Sequence, residues 1–164
     1  MTAVVSESLM EETWQRVARS SDTQMRQLQR LCGKEQEELT GFMVAFSSDL
    51  PEEVMGLALY LHAVVSDAFR HSGVKFRRIK PARIVRTWEI ATELVADLEP
   101  HGRPCPLSIA SATSEPAVFR YILEALETDP EDHVELSDKE YWHVVAVLLT
   151  VMTCLHDAVK TRTA

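Results

Sequence analysis

A cluster of positive charge is the feature of this sequence that most clearly points to chemistry. Seven Lys and Arg residues occur within residues 70–86, and no Asp or Glu interrupts them. We call them the basic island: Arg70, Lys75, Arg77, Arg78, Lys80, Arg83 and Arg86. The chain has a net charge of −8, so about −15 falls on the remainder once the island's seven positive charges are subtracted. Segregated charge of this kind creates a local positive potential that attracts anionic groups.

Two interpretations of the basic island compete. Arginine offers a planar donor fork that suits phosphate, the helix start at Pro81 adds partial positive charge, and Phe76 is an aromatic ring that stacks on a base. However, one aromatic residue provides little surface on which bases could stack, and the overall acidity of the chain disfavours binding of nucleic acid. The other interpretation is a solvated linker whose charges pair with the acidic segments at residues 35–38 or 131–132. Because charge runs are unspecific signals, the sequence favours this second interpretation.

A second candidate for chemistry is the Glu140-x-x-His143 pair, which places a carboxylate and an imidazole on one helix face. Carboxylate-bridged di-metal bundles need two such pairs and two further Glu residues, and this chain supplies one pair. Ser137 and Glu140 also form a capping box, which already explains the glutamate. Glu140 and His143 are therefore the candidate metal ligands, but no metal site or cofactor is predicted.

The nearest approach to a nucleophile pair is His101 and Cys105, with Arg103 between them to lower the pKa of the thiol. No residue that would orient the base is recognisable, so the sequence favours a protein that is not an enzyme. The three cysteines, at 32, 105 and 154, are odd in number and scattered. A disulfide framework is not expected, and we predict reduced thiols and a cytoplasmic location.

The elements that must position these residues are predicted to be helical. Only five Gly occur, and apolar residues recur at steps of three and four. We predict an all-α fold, a compact bundle of about five to six helices, forming a single domain over residues 1–164. Residues 1–7 are expected to be disordered, and residues 99–116 to form a Pro-rich connection. Residues 8–47 are predicted to be one helix or two, beginning at a Ser8 capping box and broken near residues 20–22 or at Gly33.

The last predicted helix, which begins after Ser137, is apolar around most of its girth. Such a helix is buried on several sides, so it is either the centre of the bundle or a surface that also faces a second subunit. The sequence leaves both alternatives open. Its apolar run over residues 144–155 is too short to span a bilayer, so no membrane association is predicted.

From these observations we predict a non-enzymatic interaction or regulatory module that is homo-oligomeric, with a homodimer as the simplest assembly. The N-terminal helix, with Met10 and Trp14, and the last helix would supply the contact area, while the basic island would select an acidic protein partner. Binding of nucleic acid or a phosphorylated ligand by residues 70–86 is the first alternative. A metal-dependent enzyme built on Glu140 and His143 is the second. The sequence leaves the partner, the biological process and the oligomer number open.

Overall fold

The protein folds as a bundle of helices. A computed structural model describes residues 2–127 and 134–160 of the chain, and these residues form eight α-helices. The helices are α1 Glu7–Ala18, α2 Asp22–Glu35, α3 Glu37–Ser47, α4 Glu52–Arg70, α5 Pro81–Leu98, α6 Pro106–Ile109, α7 Pro116–Glu127 and α8 Asp138–Asp157. The predicted all-α class is confirmed, but five to six helices was too few. The first predicted segment forms three helices, and the Pro-rich connection contains the short α6 between two 3-10 turns.

Local capping explains where the first helices begin, although not in every case as predicted. Ser6, rather than Ser8, caps α1, because its Oγ accepts the Leu9 N–H at 3.1 Å. Ser21 caps α2 with a full capping box, so the break predicted near residues 20–22 is confirmed. The second break falls at Gln36, whereas Gly33 lies inside α2. Residues 8–47 therefore do not form one or two helices.

Helix α8 is the centre of the bundle. Fourteen of its 20 residues are buried, and it packs against α3, α4, α5 and α7. Its two apolar sides are therefore covered within one chain, and it is not available as a contact area for a second subunit. No helix in the described part of the chain combines the length and apolarity needed to cross a lipid bilayer.

Helices α5 and α8 run antiparallel. Arg83 and Asp157 line one depression between them, while Glu99 and Lys139 line another at the opposite end. The start of α5 thus lies beside the end of α8, and the basic residues near Pro81 lie beside the chain that leaves α8.

The segment before α1 is anchored, in contrast to the disorder expected for residues 1–7. The carboxylate of Glu115 accepts hydrogen bonds from the Val4 and Val5 amides at 2.7 and 3.1 Å. Val5 is buried in the core. No local pattern indicates this contact, because Glu115 lies 110 residues further along the chain from Val5.

The carboxylate of Asp67 joins α4 to α1. Asp67 is 4% exposed, and it accepts one hydrogen bond from Arg16 and one from Arg70, each at 2.8 Å. Arg70 also pairs with Glu35 of α2 at 3.2 Å. A buried carboxylate with two charged donors is a strong local restraint, because charge-assisted bonds are about twice as strong as neutral ones.

We predict that Asp67→Asn lowers the free energy of unfolding by about 2 kcal/mol, since it removes the carboxylate charge from both bonds and turns an amide N–H toward one of the two donors. The measurement is urea denaturation followed by circular dichroism. Glu37→Gln is the matched control, because Glu37 pairs with Arg78 at 2.7 Å on the exposed surface. It should cost less than about 1 kcal/mol. Equal losses in the two variants would contradict the buried role of Asp67.

Candidate functional site

The linker that carries most of the basic island, residues 74–80, is held in place along its backbone. The Arg77 N–H donates to the Ala158 carbonyl at 2.7 Å, and the Lys160 N–H donates to the Lys75 carbonyl at 2.9 Å. The side-chain amide of Gln36 also binds the linker backbone. It donates to the Arg77 carbonyl at 2.9 Å and accepts a hydrogen bond from the Ile79 N–H at 3.0 Å. Ile79 is buried in the hydrophobic core, so packing as well as these bonds holds the linker. The positions of the charged residues on it are therefore determined by the fold.

Two of the seven island residues are neutralised within the chain. Arg70 is engaged with Asp67 and Glu35, away from the rest of the island. Arg78 pairs with Glu37. The acidic segment at residues 35–38 thus supplies partners for two island cations. The other acidic segment that we considered, residues 131–132, lies outside the described residues.

The other five cations of the island are exposed: Lys75, Arg77, Lys80, Arg83 and Arg86. Within residues 2–127 and 134–160, none of them has an Asp or Glu oxygen within 4.0 Å. Ion pairing inside the chain therefore accounts for only part of the island, and most of its positive charge faces solvent.

Four of these five cations line one continuous depression. A hollow of about 180 Å³ is lined by Arg77, Lys80 and Arg83. A neighbouring hollow of about 210 Å³ is lined by Arg83 and Arg86 and continues to Ile90 and Leu94. Arg83 and Asp157 line both hollows, so the two form one groove between the start of α5 and the end of α8. We call it the basic groove; Lys75 does not line it.

The basic groove has a mixed chemical character that the sequence did not reveal. Ile90 and Leu94 on α5 are 60% and 39% exposed, which is unusual for aliphatic side chains that lie side by side on a helix. Asp157 is the one acidic residue among those that line the groove in the described chain. The start of α5 adds partial positive charge from the helix dipole, which favours an anion. The groove thus offers cations at one end and apolar surface at the other.

Cys154 also lines the groove, but it does not supply a nucleophile. Burial raises the pKa of its thiol, which outweighs the hydrogen bond with Thr87 and the nearby charge of Arg83. A thiol with a raised pKa stays protonated near neutral pH and is a poor nucleophile. Cys154 therefore does not give the groove a reactive thiol.

The candidate metal ligands are engaged in structural hydrogen bonds. One carboxylate oxygen of Glu140 accepts the Ser137 N–H at 3.1 Å, which completes the predicted capping box of α8. The Nε2 of His143 donates to the Phe46 carbonyl. In the described part of the chain no three His, Cys, Asp or Glu residues are grouped so that they could hold a metal ion.

Arg103, which was considered as a charge that could activate Cys105, has other partners in the structure. Arg103 donates to Asp138 and to the Leu136 carbonyl, and its guanidinium lies 4.4 Å from the centre of the Tyr141 ring. It therefore pins the Pro-rich connection to the start of α8 rather than activating the exposed Cys105.

One site was missed altogether by sequence reasoning. A cavity of about 750 Å³ lies between the end of α3, the second half of α5 and the start of α8, and Phe46, Trp88 and Trp142 contribute to its walls. Its residues come from segments about 40 or more positions apart, so only the fold brings them together. The one available signal was that Trp142 lies off the main apolar stripe of α8.

Comparison of the chain with protein-family models, with curated proteins and with solved structures found no match.

Proposed function

We propose that the protein is a non-enzymatic interaction module that binds an acidic, amphipathic helical segment of a partner protein in the basic groove. The observation that carries this proposal is that one groove combines exposed Ile90 and Leu94 with four cations that have no acidic partner among the described residues: Arg77, Lys80, Arg83 and Arg86. Cations select carboxylates, and the aliphatic side chains select apolar anchors. A ligand that satisfies both must itself be acidic and amphipathic.

Charge supports a protein segment over nucleic acid as the occupant. The groove concentrates positive charge, whereas the chain as a whole carries −8, which repels a long polyanion. Along α5 the sign changes after Arg86, since Glu89, Glu93 and Asp97 follow. An amphipathic acidic helix places its carboxylates over the positive end and its apolar residues over Ile90 and Leu94, whereas a nucleic-acid strand would carry phosphates along the acidic half as well.

The homo-oligomer expected from the sequence is retained as a proposal with a different contact area. Helix α8 is covered within the chain, and in α1 Met10 is buried while Trp14 is 39% exposed. Among the described residues, the exposed aliphatic side chains of Val44, Val85 and Leu107 do not line the basic groove, and they are the apolar surface proposed for this contact. Multi-angle light scattering on the purified protein measures whether a dimer forms.

The test of the proposed function is peptide binding measured by fluorescence anisotropy. The probe is a fluorescein-labelled synthetic helix of Glu and Leu, with the Leu residues spaced three and four apart. We expect saturable binding that weakens as salt is raised, and at least about a tenfold loss of affinity in the double variant Arg83→Glu with Arg86→Glu.

The control variant is Arg26→Glu with Arg30→Glu, which makes the same charge change on the exposed face of α2. It should bind the probe as the wild type does, apart from a small general charge effect. The proposal is overturned if both double variants lose affinity equally. It is also overturned if a labelled single-stranded DNA of similar length binds more tightly than the peptide.

A further inference from the structure

The cavity between α3, α5 and α8 has the size and the walls of a small-molecule site. Its volume of about 750 Å³ lies within the range of about 300–1,000 Å³ that is typical of ligand pockets. Phe46, Trp88, Trp142 and Ala146 form apolar surface, and Thr92 and the charged residues at its rim supply polar groups. A cavity with mostly apolar walls and a few converging polar groups is the usual form of a binding site.

The aromatic walls are held in fixed positions. The ring centroids of Phe46 and Trp88 are 4.9 Å apart, and Phe42 packs behind both at 4.6 and 5.6 Å. His143 lies edge to face with Trp88 at 5.9 Å and donates from Nε2 to the Phe46 carbonyl. Rings that are packed against one another lose little freedom when a ligand binds, so the wall is preorganised.

The charge of the cavity is negative. Asp49, Glu99 and Glu140 line it, and Lys139 is the one cation among the lining residues in the described chain. Glu140 uses one oxygen in the capping box of α8. Asp49 and Glu99 have no Lys, Arg or His nitrogen within 4.0 Å in residues 2–127 and 134–160. Two unpaired carboxylates therefore stand at the rim of an aromatic cavity.

We propose that this cavity binds a small organic cation, a quaternary or protonated amine that carries an aromatic or aliphatic group. The faces of Trp and Phe rings attract cations through their electron-rich surface, and organic ammonium ions are the ligands that such aromatic sites recognise. The carboxylates of Asp49 and Glu99 supply the opposite charge. An anionic ligand would face three carboxylates and one ammonium group, so the balance of charge selects against it.

The site is separate from the basic groove, because no residue lines both and the two select opposite charges. Arg83 and Arg86 line the groove, whereas Trp88, Thr92 and Glu99 line the cavity. Failure of one proposal therefore leaves the other standing.

The experiment is a titration of the ¹⁵N-labelled protein with benzyltrimethylammonium chloride, followed through the three indole N–H signals in NMR spectra. Each signal is assigned from a Trp→Phe variant. We expect saturable shifts of the Trp88 and Trp142 signals, while the Trp14 signal stays in place because Trp14 lies on α1 in a different surface hollow. Benzoate, which has a ring of the same size and the opposite charge, should produce no saturable shift.

Charge variants complete the test. Asp49→Asn with Glu99→Gln should weaken binding of benzyltrimethylammonium on the order of tenfold. Glu89→Gln with Glu93→Gln makes the same change at exposed positions on α5 that do not line the cavity, and it should bind as the wild type does. The proposal is overturned if neither cavity indole shifts, if benzoate binds equally well, if Trp14 shifts together with the others, or if the two double variants behave alike.

Discussion

Glu115→Gln should lower the free energy of unfolding by about 3 kcal/mol, which is the largest loss that we expect from any single isosteric change. Glu115 is 0% exposed, and three N–H groups donate to its carboxylate. They are the backbone amides of Val4 and Val5 and the Nδ1–H of His156, which lies 2.7 Å from Oε1. A carboxylate offers only acceptors, so it satisfies all three donors at once.

Glutamine cannot do the same, because its amide has one accepting oxygen and turns an NH₂ group toward the remaining donors. At least one buried N–H loses its partner, and such an orphan costs about 1–3 kcal/mol. The loss of the charge from a buried pair adds to this cost. Guanidinium denaturation measures the change in stability, and hydrogen exchange of the Val4 and Val5 amides, which should accelerate, identifies its location.

The matched control for this prediction is Glu93→Gln. Glu93 is exposed on α5, so the same chemical change there should alter stability by less than about 0.5 kcal/mol. A loss of the same size in both variants, or unchanged exchange at Val4 and Val5, would show that Glu115 does not hold the N-terminal segment.

The second large effect is a loss of stability in acid that originates at His62. Burial of its imidazole lowers the pKa to about 4, whereas a histidine in an unfolded chain titrates near 6.5. The folded state therefore favours the neutral ring. This contribution to stability is complete above pH 6.5, and it is lost as the pH falls through the interval from 6.5 to 4. The total is about 3 kcal/mol, of which about 2 kcal/mol should be lost by pH 5.

Other groups also titrate in this interval, so the measurement compares two proteins. Urea denaturation at pH 7 and at pH 5 is carried out on the wild type and on His62→Leu, which fills a similar volume without a titratable group. The wild type should lose about 2 kcal/mol more than the variant between the two pH values. Parallel pH profiles would contradict a buried, neutral His62.

The sequence predicted those features of the fold that depend on neighbouring residues. Pro81 and the Ser137–Glu140 capping box marked the starts of α5 and α8, since both signals act within one helical turn. Periodic apolar residues predicted an all-α fold for the same reason. Local patterns do not reveal which of two nearby serines is used: Ser6, not Ser8, caps α1, directly after the Val4 and Val5 amides that Glu115 holds.

The features that the sequence missed depend on contacts between distant segments. Gln36 separates α2 from α3, and its side chain bonds to the linker at Arg77 and Ile79, more than 40 positions later. Distance along the chain also explains why the sequence does not show which cations of the basic island are paired. Glu37 and Arg78 are 41 positions apart, so only the folded chain brings them together. Because α8 is apolar on most of its sides, it could be the centre of the bundle or a contact with a second subunit. The packing of α3 and α5 against it shows that it is the centre.

The most direct test of the proposed partner surface is a charge-swap measurement with the synthetic Glu–Leu helix. The double variant Arg83→Glu with Arg86→Glu is titrated with that peptide and with a second peptide in which every Glu is replaced by Lys. If carboxylates bind to Arg83 and Arg86, the variant should bind the Lys peptide at least about tenfold more tightly than the Glu peptide, which reverses the preference of the wild type. A variant that keeps the wild-type preference for the Glu peptide would contradict the assignment of the basic groove as the binding surface.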